Sequence, residues 1–263
     1  MDISAYSALN NSPYSSGLNS VNESLASGSQ INRASDSPAT QAIITALTSQ
    51  VNTQDMATRN ANTGISLLQT ADGASNSITQ SLQRMNELTI QSMNGTLNPS
   101  QRSILNQEFQ QNLQSISQIA DSTSFNGNTL LNGDTANIDI ALGETTNSLN
   151  LPNLSTDALS ITGLNISNPA NASLALESLG VAIEQLDSAR SQFGAQQNGL
   201  TSAIDNQQNQ SLNTMATRSQ ISDTDFARAI AEQSRLNILN ESSIAMMSQG
   251  TQSKSSVLQL LGT

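Results

Sequence analysis

The chain contains no histidine, no cysteine and no tryptophan. Without histidine, the side chain that most readily moves protons near neutral pH is missing. A Ser-His-Asp arrangement or an HExxH zinc site is then impossible. Without cysteine there is no disulfide framework, no thiolate nucleophile and no Cys-based metal site. Aromatics are only 2% of the 263 residues, so the large anchors of a thick core are scarce. Charged residues are 11%, where about 25% is usual, and hydrophobic residues are 36%. Disordered chains are normally poor in hydrophobics and rich in charge. This chain is poor in both, and Ser, Asn, Gln and Thr fill the deficit. Such a surface is polar but weakly self-repelling, and it suits close packing against like surfaces.

Positive charge is the next shortage. Between Arg102 and Arg190 there is no Lys or Arg, while Glu108, Asp121, Asp134, Asp139, Glu144, Asp157, Glu177, Glu184 and Asp187 fall inside. With a net charge of −11 and no cationic cluster, neither nucleic acid nor an anionic membrane surface is an expected partner. No run approaches the ~18 continuous apolar residues of a membrane-spanning helix. The opening residues, Met1 to Tyr6, carry neither a basic nor an apolar signal region, so export is expected by a route that cleaves no signal. No GxxxxGK[ST] loop is present, and Asp121, Asp134 and Asp139 do not fit the spacing of an EF-hand. The expectation is a non-enzyme with no catalytic, cofactor or metal site.

What is present is helical periodicity at both ends, Ala42–Ala120 and from Leu174 onward, with turns and short strands between Phe125 and Ser167. Ile3, Tyr6, Leu18, Val21 and Leu25 form a loose stripe, which Pro13 is expected to interrupt and Gly28 to end. Alone, that stretch buries too little to offset its ordering entropy and is expected to be disordered in a monomer. Ser35-Asp36-Ser37-Pro38 reads as a helix start. Ile44, Leu47, Val51, Ala61, Ile65, Leu68, Ile78, Leu82, Met85 and Leu88 follow it at helical spacing, with Gln54, Thr58 and Asp72 in the gaps. Gly95 to Pro99 punctuates, and Ile104, Leu105, Phe109, Leu113, Ile116 and Ile119 mark a second helix.

In the middle, Ile138, Ile140 and Leu142 alternate as a half-buried strand, and Gly143–Asn147 closes a hairpin onto Leu149 and Leu151. Leu159, Ile161 and Leu164 add a third apolar stretch. Leu176, Leu179, Ile183, Leu186, Arg190, Phe193, Gln197, Leu200, Ile204, Gln207 and Ser211 then step by three and four, which is a heptad seam. Its polar members cost stability and help to set register. A last helix carries Phe226, Ile230, Leu236, Leu239, Met246 and Met247. Neither end offers a self-contained core, so the ends must pair with each other, with copies of the chain, or with both.

Short motifs run along this frame. They are Ile31-Asn32-Arg33-Ala34-Ser35-Asp36, Arg59-Asn60-Ala61-Asn62-Thr63-Gly64-Ile65-Ser66, Leu82-Gln83-Arg84-Met85-Asn86-Glu87-Leu88 and Thr123 to Gly127. Ala189-Arg190-Ser191-Gln192-Phe193-Gly194-Ala195-Gln196-Gln197-Asn198, Ile221 to Ala227 and Val257 to Leu261 follow. Together, in order and over nearly the whole chain, they resemble bacterial flagellin. Leu164-Asn165-Ile166-Ser167 passes almost directly into the last long helix, where longer flagellins carry variable outer domains, so the resemblance is to a short, core-only form.

The resemblance implies a mainly α fold: an elongated helical bundle or coiled coil formed by the N- and C-terminal segments, with a small β-hairpin region between them. It implies an inner terminal domain of residues 1–38 plus 222–263 that orders on assembly, and an outer domain of residues 39–221. It implies a subunit that leaves by the flagellar type III route and polymerises into the extracellular swimming filament. The partners implied are copies of itself, an export chaperone, hook-associated and cap proteins, and the host Toll-like receptor for flagellin. The matching positions for neighbour and receptor contact are Arg84, Leu88 and Glu108. Candidate polymerisation residues are Leu18, Val21, Leu25, Leu236, Leu239, Met246, Val257, Leu258, Leu260 and Leu261. A hook–filament junction protein, with similar terminal segments, is the alternative.

Overall fold

The computed structural model describes residues 13–261. Among them are five helices, α1 (Pro13–Ser27), α2 (Pro38–Ser92), α3 (Pro99–Ser122), α4 (Pro169–Ser222) and α5 (Phe226–Leu261), and four strands between α3 and α4. The fold is mainly α. Four of the five prolines stand at the first residue of a helix. There the missing N–H has no intrahelical acceptor to lose and the fixed φ is already helical. Pro13 opens the described part of α1, and the apolar stripe expected before it lies outside the described residues. Asp36 does not cap α2. Its carboxylate accepts from the backbone N–H groups of Asn32 and Arg33 and closes the preceding turn. Ser37 holds the cap position, its carbonyl accepting from Gln41 N at 2.9 Å. At α3 the capping box is complete: Asn98 Oδ1 accepts from Gln101 N and Gln101 Oε1 accepts from Asn98 N.

The chain packs as two compact units, Met1–Val51 with Leu212–Thr263, and Asn52–Ser211. The unit made by the chain ends thus includes the first turns of α2 and the last turns of α4.

In the unit Asn52–Ser211, α2 shows its seam plainly. Ala57, Ala61, Gly64, Leu68, Ala71, Ser75, Ile78, Leu82, Met85, Thr89 and Ser92 are all buried, at steps of four and three. Leu67 and Leu88 widen the stripe. On α4 the buried set is Ala172, Ala175, Leu179, Ala182, Leu186, Ala189, Phe193, Leu200 and Ile204. Leu179, Leu186, Phe193 and Leu200 are the expected knobs, but the alternate layer is one residue earlier than expected. Ala175, Ala182 and Ala189 are buried, while Leu176, Ile183, Arg190 and Gln197 are half-buried. Alanine fills that layer, and the larger neighbours cover its flank. α3 contributes Phe109, Ile116 and Ala120 to the same core.

The buried Ser and Thr of α2 do not violate the core. Ser75, Thr79 and Thr89 hydroxyls donate to the carbonyls four residues earlier, Ala71, Ser75 and Met85.

Two small antiparallel sheets follow α3. β1 (Ser124–Phe125) pairs with β2 (Asn128–Thr129), and β3 (Asn137–Leu142) pairs with β4 (Thr145–Asn150). The second hairpin turns at Gly143-Glu144 alone, and Thr145 to Asn147 belong to the strand. Ile140, Leu142 and Leu149 face the core. Asn60 of α2 donates to Ala141 O, and Gln207 and Gln196 of α4 donate to Leu142 O and Asn150 O. Leu159, Ile161 and Ile166 are buried in turns rather than in a strand. That segment is pinned to α3, with Gln110 donating to Leu164 O and Asn106 accepting from Ile166 N.

In the other unit, α1 packs on α5. Gly28, at φ +71°, ends α1 in the left-handed region that only glycine adopts without strain. The turn then clasps the end of α4. Gln30 N donates to Ser222 O, Thr224 N donates to Gly28 O, and Ser29 bridges Asp223. Gly17 lets Leu236 approach, and a Cβ there would sit 3.3 Å from its Cδ1.

Candidate interaction surfaces

Two surfaces gather the residues singled out from the sequence. The first spans α2 and α3. Arg84 Nε donates to Glu108 Oε1 at 2.8 Å and its Nη1 donates to Glu87 Oε2 at 2.9 Å. The bond to Glu108, then the one to Glu87, raises the Arg84 guanidinium above its ordinary pKa. All three side chains are exposed, so they form a fixed array of one cation between two anions on an open ridge. Glu87 was not singled out beforehand; its three-residue spacing from Arg84 is the signal for it. Leu88 is not part of that ridge. It is fully buried among Leu82, Met85 and Phe109 in the core and holds the Arg84 helix from beneath. Contact through Leu88 itself would require opening the bundle.

The second surface is the α1–α5 pair. Leu18, Val21, Leu25 and Leu239 are half-buried and Leu236 is buried. α5 also leaves Phe226, Ile230, Ile238, Met246 and Met247 exposed, at different places around its axis, with Met246 at 75%. Ile238 was absent from the expected set, because Leu236 and Leu239 already take the three-residue step on either side of it. The side chains of Val257, Leu258, Leu260 and Leu261 lie outside the described residues, as do Ile3 and Tyr6. Arg235 donates twice to Glu232 on the solvent side of α5. Where α1 and α5 converge, an open cleft of about 270 Å³ is lined by Val21, Gln30 and Arg228 among others.

Among the described residues no three His, Cys, Asp or Glu side chains come together as a metal site, and no helix is long and apolar enough to cross a membrane. Asp134 spends its carboxylate on Asn132 and Thr129 within its own turn. What the two surfaces offer is shape, apolar area and a few fixed charges.

Comparison with known proteins gives the same picture over the whole length. Residues 1–136 match the bacterial flagellin N-terminal helical region and residues 176–261 match the C-terminal helical region. The chain is 38% identical over 244 residues to a flagellin of Halalkalibacterium halodurans, covering 91% of this chain and 90% of that one. It is 31% identical over 267 residues to a flagellin of Listeria monocytogenes serovar 1/2a, covering 94% and 93%. Among solved structures, the crystal structure of Bacillus cereus flagellin superposes with a TM-score of 0.53 at 32% identity, covering 57% of this chain and 88% of that one.

Proposed function

Because this chain belongs to the bacterial flagellins, we propose that it is a structural subunit that polymerises into the helical flagellar filament and serves swimming motility. The observation that carries this reading is the number of large apolar side chains that α5 leaves in solvent. Phe226, Ile230, Ile238, Met246 and Met247 remain exposed after α1 has packed. Exposed apolar side chains concentrated on one helix favour an interaction surface, and identical copies repeating one non-closing contact generate an open helical polymer. Scarce charge supports it, since stacked copies bring like charges together. In this reading residues 1–38 and 222–263 form the inner domain and order on assembly, and residues 39–221 form the outer wall.

The subunit is a non-enzyme. It is exported unfolded by the flagellar route and works outside the cell. A chaperone covers the C-terminal region around Met246 and Met247 before export, and hook-associated and cap proteins bound the growing polymer. The Arg84–Glu87–Glu108 ridge contacts a neighbouring subunit, and in a host setting the Toll-like receptor for flagellin. Electron microscopy of purified protein after seeding or salting-out tests the main claim. Long tubes are expected. Monomer that persists through both treatments overturns it, and short rings with no tubes point instead to a hook–filament junction role.

A further inference from the structure

The chain contains four asparagine–glycine pairs, at Asn94, Asn126, Asn132 and Asn198. Such a pair carries latent chemistry. The glycine amide nitrogen, once its proton is lost to solvent, bonds to the asparagine Cγ. The bond from Cγ to the side-chain nitrogen breaks, and ammonia leaves with a proton from solvent. The product is a five-membered succinimide. Water then opens the ring at either carbonyl, giving aspartate or isoaspartate. Glycine makes this attack easiest, because no Cβ obstructs the approach.

Three of the four pairs are held against it. Asn198-Gly199 lies inside α4, where the Gly199 N–H belongs to the helical ladder and the backbone cannot turn without breaking it. Asn126-Gly127 forms the two-residue turn between β1 and β2, at φ 50° and 86°, and the Phe125–Asn128 pair locks it. In Asn132-Gly133 the side-chain oxygen accepts from Asp134 N and the side-chain nitrogen donates to Asp134 Oδ2. Gly133 is also crowded, with Asn153 Nδ2 2.5 Å from where a Cβ would sit.

Asn94-Gly95 is different on every count. Both residues are exposed and lie between α2 and α3. Nothing approaches Gly95 within 4 Å of its Cβ direction. Its amide donates no hydrogen bond among the described residues, so the nucleophile is free. The Asn94 side-chain oxygen accepts from Thr96 N at 3.1 Å and from Thr96 Oγ1 at 3.0 Å. Two donors on that oxygen hold the electrophile still and stabilise the charge that builds on it when the nitrogen attacks.

We propose that Asn94 is a self-modifying site, converting in the folded protein to aspartate and isoaspartate ahead of the other three asparagines. The product has local consequences. Arg102 Nη2 donates to Asn94 O and its Nε donates to Ser92 O, so one guanidinium fastens the end of α2. Isoaspartate inserts a methylene into the main chain at that clamp, and either product places a new carboxylate near Arg102.

The test is peptide mapping by mass spectrometry of the full-length protein, held folded at mildly alkaline pH and sampled over time. Isoaspartyl methyltransferase labelling identifies the isomer. Conversion at Asn94 is expected first, with Asn126, Asn132 and Asn198 lagging. In denaturant the four are expected to convert at comparable rates. Gly95→Ala is expected to abolish conversion at residue 94 with unchanged circular dichroism, and Thr96→Ala to slow it. The proposal is overturned if Asn94 stays intact when folded yet converts when unfolded, or if any other pair leads in the folded chain.

Discussion

Arg190 Nε donates to Asp72 Oδ1 across 2.9 Å and joins α4 to α2 one residue outside the buried seam on each helix, beside Ala189 and Ala71. The side chains remain 35% and 39% exposed, so solvent screens the pair. A double-mutant cycle with Arg190→Gln and Asp72→Asn, read by urea denaturation, is expected to give a coupling of about 0–1 kcal/mol that weakens with salt. A coupling of several kcal/mol would mean that the pair behaves as a buried one.

Gly64 sits at a close approach of α2 to Leu200 and Ile140. A Cβ there would meet Leu200 Cδ1 at 3.1 Å and Ile140 Cγ1 at 3.2 Å. Gly64→Ala gains roughly 1 kcal/mol of helix propensity and loses a similar amount to crowding, so little net change is expected. Gly64→Val adds branches where no space exists and is expected to cost at least about 1–3 kcal/mol. Thermal melts of the two variants separate the effects, and a valine variant as stable as the parent would refute the packing.

Leu88 and Arg84 are neighbours in sequence with opposite roles. Leu88→Ala is expected to lose about 2–5 kcal/mol of stability, as a fully buried leucine should. Arg84→Ala is expected to leave the melting temperature nearly unchanged while impairing polymer growth. Equal stability losses would place both in the core.

Gln54 is buried at 5% exposure, and its side-chain oxygen has no hydrogen-bond partner. An orphaned buried acceptor carries a desolvation penalty of about 1–3 kcal/mol. Gln54→Met keeps the volume and removes the acceptor, so a gain of roughly 1 kcal/mol is expected in the denaturation midpoint. A loss would show that the amide holds α2 in register.

The Arg235 hydrogen bond holds the Glu232 carboxyl below the ordinary glutamate range, with the charges of Arg235 and Arg228 adding to it. A carboxyl depressed in the folded state stabilises above its unfolded pKa, and the benefit is lost as pH falls through the folded value. Acid titration of helicity should therefore show parent and Glu232→Gln differing at neutral pH and converging as that carboxylate protonates. A difference independent of pH would remove the ion pair as its cause.

Much of this fold was readable in the residues, and the misses share a physical origin. Leu179, Leu186, Phe193 and Leu200 announced the α4 seam because large apolar side chains at heptad spacing have one explanation. Ala175, Ala182 and Ala189 did not, since alanine is equally at home on a surface. Ser75, Thr79 and Thr89 of α2 were hidden for a related reason: a hydroxyl that bonds its own helix is buried without looking apolar. The Arg84–Glu108 ridge followed a motif, but Leu88 shows that a motif places a residue in sequence and says nothing of which way it faces.

The clasp between Ser29 and Ser222 closes a loop of 193 residues. Closure entropy grows with loop length, and contacts this distant form after local ones. The unit Asn52–Ser211 can be complete before the chain ends meet, and during synthesis α1 emerges long before the helix it needs. Order in time is thereby written into the topology. The surface made by α1 and α5 is the last to form, and for most of its early life the polypeptide has no finished face with which to capture its own kind.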